Sequence, residues 1–199
     1  MAEPNTLRAL SGLPLTPARL GDSVLVLIDC QNTYTEGVLE LDGVQDALDE
    51  AAVLLDLARS AGAPVIHVQH DDGPGSLYDI GGHTGAIVER VAPLDTEPVV
   101  VKNYPNAFVQ TDLQDRLTSL GVQNLVLAGF MTHMCVNSTA RGAFNLGYAP
   151  TVVATATATR PLPGVGGEPV PASALQAASL AAVADLFAVV VPRAADIPG

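Results

Sequence analysis

Positive charge is scarce in this chain: nine Lys and Arg stand against 21 Asp and Glu, a formal net charge of −12 over 199 residues. That balance disfavours nucleic acid or an anionic membrane as a partner, because either would repel it. A cationic small substrate is tolerated. Long apolar runs are also missing. None reaches the ~18 residues of a membrane span, although 48% of the residues are hydrophobic and the mean hydropathy is +0.32. The surplus apolar surface is expected at a subunit interface, which makes a homodimer or higher homo-oligomer the expected state. The start, MAEPNTLRAL, lacks a basic stretch followed by a long apolar core, so no secretory signal is expected. Two cysteines are too few for a disulfide scaffold, which fits a reducing cytoplasm.

What is present alternates between strand and helix signals along a length that suits one domain. Residues 1–22, with Pro4, Pro14 and Pro17, read as an extended N-terminal arm free to wrap on a neighbour, and 23–199 as a single domain. Ser23 to Asp29 (SVLVLID) is a continuous apolar run ending in a carboxylate, the pattern of a central parallel strand buried on both faces. Gly43 to Gly62 has helical apolar spacing and a glycine stop. Pro64 to Val68 is a second strand and Val99 to Val101 a third, ending in Lys102. A short helix over Thr111 to Leu120 precedes strand four, Leu125 to Ala128. Strand five is Thr151 to Ala154, Pro161 to Gly167 a loop, Pro171 to Phe187 an Ala-rich helix, and Ala188 to Val191 strand six. The reading is an α/β fold, a three-layer α/β/α sandwich around a mostly parallel six-stranded sheet with right-handed crossovers.

The chemistry centres on Leu125 to Tyr148, where a strand meets Gly129, turns through Phe130 to Met134 and delivers Cys135 into a helical segment. A thiol at a helix start has its thiolate favoured, as a cysteine nucleophile requires; a small buried hydrophobe is the alternative. Asp29, Lys102 and Cys135 each sit at or just beyond the carboxyl end of a strand, which in a parallel sheet brings base, cation and nucleophile to one rim. A lysine at the end of a buried strand is costly unless a carboxylate and a thiolate lie close by. Asp71 to Gly85, with five Gly, Tyr78 and His83, reads as a loop that helps line the pocket. Gln31 and Tyr34 follow Asp29, Tyr104, Asn106 and Phe108 follow Lys102, and His133 precedes Cys135; these are candidates for substrate contact, with turn structure or packing as the alternative. His67 reads as a core histidine and Cys30 as a buried, inert thiol.

Three motifs, IDCQNTY at Ile28 to Tyr34, VVKNYPNAF at Val100 to Phe108 and GFMTHMCV at Gly129 to Val136, resemble those of the isochorismatase-like cysteine hydrolases, which include nicotinamidases, N-carbamoylsarcosine amidases, ureidoacrylate and streptothricin hydrolases, and isochorismatases. The resemblance implies sheet order 3-2-1-4-5-6, a catalytic triad of Asp29, Lys102 and Cys135, a cis peptide between Phe130 and Met131, and an oxyanion hole from the backbone N–H groups of Met131 and Cys135. It implies a cysteine-dependent hydrolase that cleaves a C–N bond of a small amide or lactam through a thioester. A cationic substrate such as streptothricin would suit the charge. No cofactor is expected. His70, Asp72 and His83 could imitate the nicotinamidase metal site, but the order of ligand types differs, and no metal is expected. Vinyl-ether hydrolysis, nicotinamidase-type chemistry and a non-catalytic ligand-binding oligomer stay open. So does a Cys30–Cys135 disulfide.

Overall fold

The computed structural model describes residues 5–199; of the N-terminal arm, 1–4 lie outside the described residues. Six strands form one sheet: β1 (Ser23–Ile28), β2 (Val65–His70), β3 (Val99–Lys102), β4 (Asn124–Phe130), β5 (Ala149–Ala158) and β8 (Val189–Val191). Their order is β3-β2-β1-β4-β5-β8 and all five pairings are parallel, so in chain order the sheet runs 3-2-1-4-5-6, as the resemblance implies. The segment read as a loop at 161–167 instead carries a small antiparallel hairpin of β6 (Leu162–Pro163) and β7 (Pro169–Val170).

Strand β1 is central and buried along its whole length, and alternation sends its side chains to two different cores. Leu25 and Leu27 pack with Leu48, Leu54 and Leu55 of α2 (Val44–Ser60). Val24, Val26 and Ile28 pack on the other face with Leu113 and Leu117 of α3 (Leu113–Leu120), Ala140 and Ala143 of α4 (Asn137–Asn145) and Val183 of α5 (Ala172–Ala184). Burying one such aliphatic side chain contributes about 1.5–3 kcal/mol, which is why the two apolar faces, rather than local propensity, hold the three layers together.

The segment read as an extended arm is folded onto the same chain. Thr6 caps a one-turn helix, α1 (Leu7–Leu10), by accepting from the Ala9 N–H at 3.1 Å. Arg8 is buried, donating from Nε to the Pro14 carbonyl (2.6 Å) and from Nη1 to that of Leu186 (2.9 Å). The Leu7 and Arg8 N–H groups add hydrogen bonds to the Asp185 side chain (2.9 Å) and carbonyl (2.7 Å), contacts of which the arm's proline content says nothing.

Beneath β2 lies a second buried polar group. His67 Nε2 meets Glu97 Oε2 at 3.1 Å, and Arg59 clamps both oxygens of the same carboxylate at 2.8 Å. His67 is a core histidine with a partner. The Arg59 hydrogen bonds, helped by the Leu94 N–H and His67, bring the Glu97 carboxyl down to about 2, while burial lowers His67. Both folded values lie below their unfolded ones, so both contribute stability that is fully present above the unfolded pKa and is lost as pH falls. The unfolding midpoint in urea is therefore expected to fall from about pH 6.5, where an unfolded histidine titrates, and again from about pH 4.5 toward 2 as Glu97 protonates. Glu97→Gln should flatten the lower limb; an unchanged acid profile in that variant would show that the pair is energetically silent.

Candidate active site

Asp29 follows the last residue of β1 with φ +51, a left-handed backbone uncommon outside glycine, Asn and Asp. Its N–H is held by the Val68 carbonyl (2.9 Å), and its own carbonyl accepts from the Gln31 N–H (2.8 Å). Lys102 ends β3, and Cys135 lies in a five-residue π-helical turn, Thr132–Val136, that leads straight into α4. The Phe130–Met131 peptide that feeds this turn is cis. Gly129 has φ +114, and a Cβ there would lie 2.0 Å from the Ile28 carbonyl oxygen. Glycine is what lets β4 press against the end of β1 at this point.

The three side chains meet below the surface. Lys102 Nζ lies 2.7 Å from Asp29 Oδ2, with both side chains fully excluded from solvent, and 3.4 Å from Cys135 Sγ. Neither Asp29 oxygen receives a well-aligned hydrogen bond; the 2.7 Å approach is an ion pair of poor angle. A fully buried carboxylate left this way, beside a thiol and an ammonium, marks a candidate site. Burial raises the Asp29 pKa, with Lys102 pulling against that rise. Burial likewise pushes the Cys135 thiol up, and the Asp29 charge pushes it the same way, outweighing Lys102. Desolvation and the neighbouring carboxylate thus work against the thiolate that a helix start alone would favour, and burial makes Asp29 the stronger base beside it. Cys30 is buried too and its thiol is also pushed up; both cysteines are free, so the disulfide considered from the sequence is not formed.

Cys135 opens into a cavity of about 300 Å³ whose wall includes Tyr34, Tyr78, Met131, Met134, His70 and Asp72. Asn103 and Pro105 complete it, and no arginine or lysine among the described residues lines it. Clefts of about 510 and 540 Å³ lie elsewhere, one between α2, β5 and α5 and one beside Glu97 and α3. Neither contains a cysteine or a histidine, so chemistry rather than size singles out the smaller cavity.

Of the candidate substrate contacts, Tyr34 and Tyr78 face the cavity and share a hydrogen bond between their hydroxyls at 3.1 Å. Gln31 is fully buried, its amide donating to the carbonyls of His70 and Gly85 and accepting from the His70 N–H; it braces the end of β2. Asn106 accepts from the Phe108 N–H, and Phe108 stacks on Tyr148. Tyr104 is exposed, and His133 Nδ1 is bonded to Thr159 Oγ1 at 2.6 Å. None of these last four is on the cavity wall. His83 is exposed and paired with Glu36, whereas His70 bridges Asp72 and Lys102. The three residues considered for a metal thus do not converge. Apart from Met131 and Cys135, which were given other roles, His70, Asp72, Asn103, Pro105 and Met134 are the wall residues not singled out as substrate contacts. A buried ammonium has three N–H bonds to satisfy, so a third acceptor beside Asp29 and Cys135 was to be expected, but nothing in the sequence named His70 as that acceptor.

No helix among the described residues is long and apolar enough to cross a membrane. Residues 23–195 match the Isochorismatase domain. The chain is 35% identical over 188 residues to the secreted isochorismatase effector Isc1 of Verticillium dahliae, covering 94% of this chain and 96% of that one. It is 33% identical over 176 residues to a streptothricin hydrolase of Streptomyces noursei, covering 87% of this chain and 63% of the relative. A solved isochorismatase from Pseudomonas putida KT2440 superposes with a TM-score of 0.94 at 39% identity, covering 98% of this chain and 99% of that one. A match that spans the sheet, the turn holding Cys135 and the strands carrying Asp29 and Lys102 makes the chain a member of the isochorismatase family of hydrolases.

Proposed function

We propose that the protein is a cysteine-dependent hydrolase of a small amide or lactam, neutral or cationic, acting through a thioester on Cys135. The observation that carries this reading is a buried thiol, carboxylate and ammonium within 2.7–3.4 Å at the foot of a cavity. Asp29 takes the proton of the Cys135 thiol as sulfur attacks the carbonyl, and a carboxylate whose pKa burial has raised is the stronger base for that step. Lys102 stabilises the charge developing on sulfur. The backbone N–H groups of Met131 and Cys135 hold the oxyanion. The C–N bond breaks as Asp29 returns the proton to the leaving nitrogen. Asp29 then activates a water that cleaves the thioester, so one amide and one water become a carboxylic acid and an amine.

The wall supports the substrate charge. It offers the half-exposed Asp72 carboxylate and no cationic side chain, so a substrate carboxylate would find no partner there and a cation would. The relative named streptothricin hydrolase is compatible with a cationic lactam. Relatives named isochorismatase keep vinyl-ether cleavage as the second reading. The test is product release, read by mass spectrometry, from a panel of neutral amides, ureido acids, a cationic lactam and a carboxylated vinyl ether. Faster turnover of neutral and cationic C–N substrates is expected; turnover of the vinyl ether alone would sink the proposal.

A further inference from the structure

The Lys102 ammonium has three N–H bonds and faces three acceptors: Asp29 Oδ2 at 2.7 Å, His70 Nδ1 at 2.9 Å and Cys135 Sγ at 3.4 Å. Two belong to the reacting trio. The third has no place in the hydrolytic steps. An ammonium only donates, so His70 must present an unprotonated Nδ1, and its proton then sits on Nε2. Nε2 faces Asp72 Oδ1 at 3.0 Å, and a carboxylate there selects that tautomer. The ring is held in place as well. Gln31 pins the His70 backbone on both sides, and Tyr78 packs edge to face on the imidazole with centroids 4.7 Å apart.

We propose that Asp72 and His70 form a positioning device for Lys102: Asp72 fixes the Nε2–H tautomer, and the resulting Nδ1 lone pair takes one N–H of the ammonium, which holds Nζ between the Asp29 carboxylate and the Cys135 sulfur. His70 and Asp72 thus act through Lys102. Without the imidazole, one N–H of a fully buried ammonium is orphaned and no water reaches it, so the group swings away or sheds its proton. In either case the sulfur loses part of its counter-charge. The consequence for turnover rests on the hydrolytic reading; the arrangement itself does not.

The experiment has two readouts, neither needing a substrate. Long-range proton–nitrogen NMR on protein labelled with ¹⁵N-histidine reports the tautomer of each of the four histidines, with His70 assigned from its absence in His70→Asn. An Nε2–H tautomer is expected, and an Nδ1–H tautomer would overturn the proposal. Alkylation of Cys135 by iodoacetamide is then followed by peptide mass spectrometry. His70→Phe, which fills the space without an acceptor, should slow it by about tenfold or more, the scale on which partners behind a reactive group act. His70→Asn, which keeps an acceptor near Nδ1, should recover most of that loss. Equal rates in the two variants, whether both slow or both fast, would overturn it. If His70→Phe does not fold, the wild-type tautomer still decides. Failure of the amide panel would sink the hydrolytic reading and leave both results here to be read on their own.

Discussion

Cys135→Ala is expected to lower turnover by about four orders of magnitude or more, since removing the nucleophile from a cooperative set of catalytic groups costs nearly as much as removing them all. The fold should persist. Cys135 packs at the edge of a core and opens onto the cavity, and trimming one sulfur there costs on the order of 1 kcal/mol, so circular dichroism and the urea midpoint should stay close to wild type. Cys135→Ser is the sharper variant. It keeps the shape and can hydrogen-bond Asp29 and Lys102, yet its hydroxyl is harder to ionise, and it should be nearly as inactive. Activity of Cys135→Ala within about tenfold of wild type would remove the thiol from the mechanism.

Lys102→Met should destabilise the protein by about 3–5 kcal/mol, because it leaves the Asp29 carboxylate buried with no counter-ion, and breaking one side of a buried pair costs more than removing both. The double variant Asp29→Asn with Lys102→Met should recover part of that stability and none of the activity. Equilibrium urea unfolding of the four proteins closes the cycle. A loss below about 1 kcal/mol for Lys102→Met would mean that Asp29 is not held as an anion in the folded protein, and would remove the base from the proposed mechanism.

The meeting of Asp29, Lys102 and Cys135 was legible in the sequence because a parallel sheet translates position along a strand directly into position in space: residues at the carboxyl ends of β1, β3 and β4 arrive at one rim. The cis peptide at Phe130–Met131 came from the motif resemblance, as nothing in composition or periodicity announces it. The cavity wall was less legible. Gln31, Asn106 and His133 stand beside catalytic candidates in sequence, yet the Gln31 amide, Asn106 Oδ1 and His133 Nδ1 are each bonded to the protein's own groups. Whether a loop side chain points inward depends on which backbone groups lack partners, and that is settled only when the loops are packed. Strand lengths show the same limit. β4 runs through Gly129 to Phe130 and β5 continues to Ala158 across a register shift, so the turn read at Gly129 and the strand end read at Ala154 were overridden by pairing with neighbours. The upward push on the Cys135 thiol was not readable either, because it comes from burial and from Asp29, not from the helix start.

The most direct test of the account is hydroxylamine trapping during turnover of whichever substrate in the panel is cleaved. A thioester on Cys135 partitions between water and hydroxylamine, so the wild-type protein should yield the hydroxamic acid of the acyl group alongside the carboxylic acid, with release of the amine undiminished. Amine release with no hydroxamate, or hydroxamate formed equally by Cys135→Ala, would contradict it.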